Sequence, residues 1–129
     1  MRAQPVPLFA TALADRVVAV CQPLALLMFG SWAKGQATVH SDVDLIVLME
    51  RPPSPRVRAE IEDALTCVPM HVDTLVWTAR QLESACSDPL GFEASALRSA
   101  QVLYLRDDKI HHVLSSRVPG CIVKLSEKT

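Results

Sequence analysis

Apolar residues recur along this chain with two different periods, and their alternation lays out the elements. Phe9, Leu13, Val17 and Val20 recur at helical spacing after the breakers Pro5 and Pro7, predicting a first helix with one buried stripe that Gln22-Pro23 ends. Leu24 to Phe29 (LALLMF) is a continuous apolar run between Pro23 and Gly30, the pattern of a short strand covered on both faces. A second strand is predicted from about Val43 to Met49. Ser54-Pro55 supplies a cap and a first-turn proline; Val57, Ile61, Leu65 and Val68 then mark one apolar helix face, with Arg58 and Glu62 paired on the other. Met70 to Trp77, rich in branched and aromatic residues, reads as a third strand.

Thr78 and Gln81 have the spacing of a capping box, opening a short helix that Pro89 closes. Asp88-Pro89 starts another helix carrying Leu90, Glu93, Ala96 and Leu97, and Gln101 to Leu105 returns as an edge strand. Ile110, Val113 and Leu114 form a further helical stripe, and Pro119 to Thr129 reads as a tail. The order helix, strand, strand, helix, strand, helix, helix, strand predicts an α/β (α+β) domain, a small mixed sheet of about four strands flanked by helices. It spans 1–107; residues 108–129 are expected to be a C-terminal extension, helical and then flexible.

Composition narrows the function. With 129 residues, half of them hydrophobic, the chain has length for one core and not for two ordinary domains. A formal net charge of −1 shows no polybasic character, so binding long nucleic acid by counterion release is not expected. Cys21, Cys67, Cys86 and Cys121 are widely spaced, without a CxxC pair or a zinc-like His spacing, and read as small buried hydrophobes in a reducing, cytoplasmic compartment. The N-terminal apolar stretch is short and interrupted by prolines, and no later run reaches membrane-spanning length, so neither a signal peptide nor a membrane segment is expected.

The chemistry concentrates where strands normally avoid it. Asp42 and Asp44 stand at the opening of the second strand, two residues apart and therefore on one face, with Val43 and Leu45 packed behind them. Two carboxylates so placed repel unless protons or cations intervene, and hard divalent ions bound by oxygen are the ordinary solution. Asp73 sits inside the apolar run Val72 to Trp77, where a lone charge is costly, and converges with the other two if its strand is their neighbour. Gly30-Ser31 ends the first strand, where glycine permits close backbone approach and serine opens a helical turn whose N–H groups and hydroxyl face an anion. Phosphate on one side and metal on the other suit a nucleoside triphosphate, two metals roughly 3.5–4 Å apart activating the attacking oxygen and stabilising the leaving pyrophosphate. Each residue also has a plain reading: Gly30-Ser31 as a capped turn, Asp42 as a turn residue, Asp73 as a hydrogen-bonded acid.

Gly30-Ser31, ten intervening residues, and then Asp42-Val43-Asp44 resemble the signature of the minimal nucleotidyltransferases, within the DNA polymerase beta-like superfamily. FGSWAKG and SDVDLIVL share the family's texture, and Asp73 in HVDTLVW falls where its third metal-binding carboxylate is expected. The resemblance implies the polymerase beta-like fold and nucleotidyl transfer, typically of AMP from ATP, with two magnesium ions; manganese suits the same oxygen-rich site. It makes Asp42, Asp44 and Asp73 the metal-binding and catalytic residues, Asp42 and Asp44 holding both ions and Asp73 holding the catalytic one and helping to deprotonate the acceptor. Gly30 and Ser31 would hold the triphosphate, with Lys34 and Ser41 completing the nucleotide-binding set. Short stand-alone domains of this kind resemble antitoxins of HEPN-type ribonuclease toxins, which transfer AMP to a tyrosine of the partner. The chain departs from the pattern at Trp32, where arginine is frequent; Trp32 either stacks on a base or, preferably, covers the core.

Two functional classes follow: an enzyme transferring a nucleotide to a protein or small-molecule hydroxyl, and a binding module that neutralises a partner by covering it. His40, His71 and His111-His112 are expected to be structural or solvated, and Glu60, Glu62 and Asp63 to form the wet face of the Ser54 helix. An uncovered edge near Val102 to Leu105 offers a route to a homodimer.

Overall fold

Leu13 and Val17, one helical turn apart, are fully buried together with Ala10 in α1 (Leu8–Cys21), the first element of a computed structural model that describes residues 7–85, 87, 88 and 90–106. The helix ends as the Gln22-Pro23 pair dictates: Gln22 turns left-handed (φ 47°) and its N–H donates to the Val18 carbonyl at 3.0 Å. There follow β1 (Ala25–Phe29), β2 (Val43–Met49), α2 (Pro55–Ala64) with a 3₁₀ turn (Leu65–Cys67), β3 (Val72–Thr78), α3 (Ala79–Ala85), α4 (Phe92–Arg98) and β4 (Gln101–Leu105). The domain is mixed α/β, one four-stranded sheet flanked by helices.

The strands lie in the order β3-β2-β1-β4. β1 is antiparallel to β2 and β4, whereas β2 and β3, joined through α2, are parallel. Both faces of the sheet are covered, as the apolar run of β1 requires. Leu26, Met28, Val43, Leu45 and Val47 pack on one face with Leu13, Val17 and Ile61 of α1 and α2. Ala25, Leu27, Ile46 and Leu48 pack on the other with Leu82 of α3 and Leu97 of α4. Truncating a fully buried member such as Leu13 or Ile46 to Ala would cost about 2–5 kcal/mol.

Local signals hold at the helix starts. The Ser54 hydroxyl accepts from the Val57 N–H at 3.2 Å, and the Thr78–Gln81 capping box closes in both directions, at 2.9 and 3.1 Å. On the wet face of α2 the ion pair joins Arg56 to Glu60 at 3.6 Å, not Arg58 to Glu62. β3 begins at Val72, two residues later than the apolar run suggests, and α4 begins at Phe92 behind the cap residue Gly91, leaving Leu90 exposed ahead of it. Cys21 and Cys67 are free and half-buried, and burial raises the Cys21 thiol to about 11. No helix among the described residues is long and apolar enough to cross a membrane. The extension at 108–129, with its helical stripe, His111-His112 and tail, lies outside the described residues, as do Cys86 and Pro89.

Candidate functional site

The parallel register of β2 and β3 sets Asp44 directly opposite Asp73, as it sets Ile46 opposite Leu75. Paired residues on neighbouring strands share a face, so both carboxylates project on the α3–α4 side of the sheet. On its other flank Asp44 is paired with Phe29 of β1, which runs straight into Gly30. Gly30 is left-handed (φ 78°), and a Cβ built on it would collide with the Asp44 Oδ2. Glycine is thus required twice, by its dihedral and by the carboxylate beside it.

Beyond Gly30 the chain makes one tight turn. The Lys34 N–H donates to the Gly30 carbonyl at 3.1 Å and the Gln36 N–H to the Ser31 carbonyl at 2.9 Å. Trp32, half-buried, packs edge-to-face on Phe9 of α1 with ring centroids 4.9 Å apart, and its Nε1–H donates to the Ser41 carbonyl at 3.2 Å. Trp32 therefore covers the core, and it also ties the Gly-Ser turn to the residue preceding Asp42. The Ser41 hydroxyl accepts from the Thr38 N–H at 2.9 Å and so holds the loop together.

An open cleft of about 440 Å³ lies over this end of the sheet. Phe29, Gly30, Asp44, Asp73 and Leu75 line its sheet side, with Lys34 from the turn. Phe92, Ser95, Ala96 and Ser99, from α4 and the residue after it, line the opposite wall. Of the residues singled out in the sequence, Gly30, Lys34, Asp44 and Asp73 meet here. Asp42 is exposed at the mouth of β2, near enough to act on Asp44 electrostatically, while Ser31 and Ser41 sit in the turn and loop behind.

The electrostatics bear the mark of crowded acids. The Asp44 carboxyl is raised above the ordinary carboxylate range, first by burial and then by repulsion from Asp73 and Asp42, with His71 opposing. His71, expected to be structural or solvated, is exposed and bonded to Asp73. Its Nε2–H donates to Asp73 Oδ1 at 2.8 Å, and that hydrogen bond, followed by the charge of the same carboxylate, raises the imidazole above its ordinary value. A signal existed: positions 71 and 73 lie two apart on an extended chain. Asp73 itself is exposed, because β3 is an edge strand, so the desolvation cost expected for it does not arise.

An all-carboxylate set, one member already pushed toward protonation by burial and then by its acidic neighbours, fits a hard divalent cation. Among the described residues, however, no three His, Cys, Asp or Glu side chains are gathered as a ready-made metal site. Asp73 is engaged by His71, and bringing the three acids onto one ion requires side-chain rotation.

Residues 17–109 match the family described as Polymerase beta, Nucleotidyltransferase. No match to a curated protein was found. A solved structure described as "Crystal structure of the toxin-antitoxin with AMP-PNP" is similar with a TM-score of 0.56 and 15% sequence identity, over 84% of this chain and 83% of that chain. That likeness is one of fold. The matched span encloses all four strands together with Gly30, Ser31, Asp42, Asp44 and Asp73. The chain belongs to the polymerase beta nucleotidyltransferase family.

Proposed function

We propose that this chain is a metal-dependent nucleotidyltransferase that moves a nucleoside monophosphate, AMP from ATP, onto a hydroxyl of a protein or small-molecule acceptor, as the antitoxin of a HEPN-type toxin. The observation that carries the reading is the side-by-side register of Asp44 and Asp73, with Gly30 pressed against Asp44 at the floor of a cleft. The toxin partner draws support from the fold shared with a toxin-antitoxin structure.

In this reading Asp42, Asp44 and Asp73 would hold two magnesium ions, which would supply Lewis acidity for the phosphoryl and acceptor oxygens. Gly30 brings backbone within reach of the triphosphate, Ser31 and Lys34 offer it a hydroxyl and a positive charge, and Ser41 holds their loop in place. The acceptor oxygen bonds to the α-phosphorus, the bond to the leaving pyrophosphate breaks, and the acceptor proton passes to Asp73.

The alternative reading is a module that neutralises its partner by coverage alone. The two separate in one experiment: α-labelled ATP and magnesium are added to the chain with the protein that co-purifies with it, beside the Asp42→Asn/Asp44→Asn variant. Label on a hydroxyl of the partner, lost in the variant together with neutralisation, is expected. Undiminished neutralisation by the variant would overturn the catalytic account.

A further inference from the structure

We propose that α4 forms the base-binding wall of the cleft, with the Phe92 ring as the platform on which the nucleobase of the substrate stacks. The proposal rests on the nucleotide reading above and extends it to a part of the cleft that none of the sequence motifs reaches.

Phe92, Ser95, Ala96 and Ser99 follow the i, i+3, i+4, i+7 spacing of one helical stripe, and all four line the cleft. On the opposite side of the helix Leu97 is fully buried in the core with Leu82 and Ile46, and Ala94 is buried as well, so α4 turns one side to the core and the stripe to the cleft. At its N-terminal end Phe92 is 61% exposed, although its helix has a core in which to bury large apolar groups. Its ring is not loose: it meets Phe29 edge-to-face with centroids 6.2 Å apart, and Phe29 is the residue paired with Asp44 on the sheet. One oriented contact holds the ring while most of its surface stays open.

The cleft is therefore polarised. Asp44, Asp73, Gly30 and Lys34 make one part of it, suited to phosphate and cation; Phe92, Phe29 and Leu75 make an apolar part continuous with the first. Its volume of about 440 Å³ lies within the roughly 300–1,000 Å³ of small-molecule sites. A nucleotide is a ligand with that same division, and a flat aromatic base beside an open phenyl ring gains stacking that an aliphatic side chain at this position could not give. Ser95, exposed one turn along, offers a hydroxyl to the ribose or the base edge.

The test compares two ligands, ATP and inorganic tripolyphosphate, each with magnesium, by calorimetric titration of the wild type, Phe92→Ala and Phe92→Trp. Loss of the platform should weaken ATP binding roughly 5- to 150-fold, the range of base–aromatic stacking, while tripolyphosphate binds unchanged and Phe92→Trp retains ATP. ATP affinity equal to wild type in Phe92→Ala, or equal losses for both ligands, would overturn the proposal while leaving the nucleotide reading standing. A wild type that binds neither ligand would remove both. Should Phe92→Ala misfold, Phe92→Leu keeps the apolar bulk without the π face and is expected to show the same ATP-selective loss.

Discussion

Gly30 and Asp44 are packed so closely that no side chain fits between them: the position of a Cβ on Gly30 is already taken by the Asp44 carboxylate. One residue sits on the turn after β1 and the other on β2, so the contact fixes the distance between the Gly-Ser turn and the strand that carries Asp44.

Gly30→Ala should therefore fail in two ways. The left-handed dihedral costs an alanine about 1–2 kcal/mol, and the added methyl pushes Asp44 out of its place. Urea unfolding should show a loss of that order, and magnesium-dependent ATP binding should fall with it. A variant as stable as wild type with unchanged affinity would contradict the packing argument.

Asp44 predicts a dependence on pH. Its folded value lies above the ordinary 3.8 through burial and the repulsion of Asp73 and Asp42, so the folded state holds its proton to higher pH than the unfolded one. Stability from that proton is complete below 3.8 and is lost as pH rises through the raised value, leaving ionised Asp44 a net cost at neutrality. Asp44→Asn should raise the melting temperature at pH 7 by roughly 1–3 °C, a small rise because the residue is only partly buried and solvent still screens its charge. Magnesium should stabilise the wild type and not this variant. A less stable Asp44→Asn at pH 7 would contradict the account.

His71 follows the same sign with a different cause. The imidazolium is favoured by Asp73, so its stabilising contribution is full below the ordinary 6.5 and fades as pH rises through the raised folded value. Proton NMR should place His71 above 6.5, with a fall on Asp73→Asn and a fall on adding magnesium, because a cation at Asp73 competes with the imidazolium. A His71 value at or below 6.5 in the wild type would mean that the hydrogen bond does not persist in solution.

Trp32 couples α1 to the loop that leads into Asp42. Trp32→Phe keeps a ring against Phe9 but loses the bond to the Ser41 carbonyl, and should cost about 1 kcal/mol. Trp32→Ala removes the packing as well and should cost about 3 kcal/mol. Both should weaken magnesium-dependent ATP binding. Equal stabilities of the two variants would show that the ring contact contributes nothing.

What was legible in the sequence was local. The spacing from Gly30-Ser31 to Asp42 and Asp44, the bounds of β2, and the Ser54 and Thr78–Gln81 caps depend on residues a few positions apart, and the structure has each of them. Strand order and direction depend on contacts far apart in the chain, and so does the exposure of Asp73: its apolar run predicts a costly charge, whereas β3 ends the sheet and leaves the carboxylate in solvent. Phe92 went unread because Asp88-Pro89 was the stronger helix-start signal, although Gly91 caps α4; with the start misplaced, the cleft-facing stripe had no visible register.

The central claim, that Asp42 and Asp44 bind a metal-linked triphosphate, is tested most directly by titrating the folded chain with ATP, with and without magnesium, beside Asp42→Asn/Asp44→Asn. Binding that requires magnesium in the wild type and is lost in the folded variant is the expected result, with transfer to any acceptor falling about a thousandfold as Lewis-acid stabilisation worth several kcal/mol disappears. Binding that ignores magnesium, or that survives both substitutions, would contradict it.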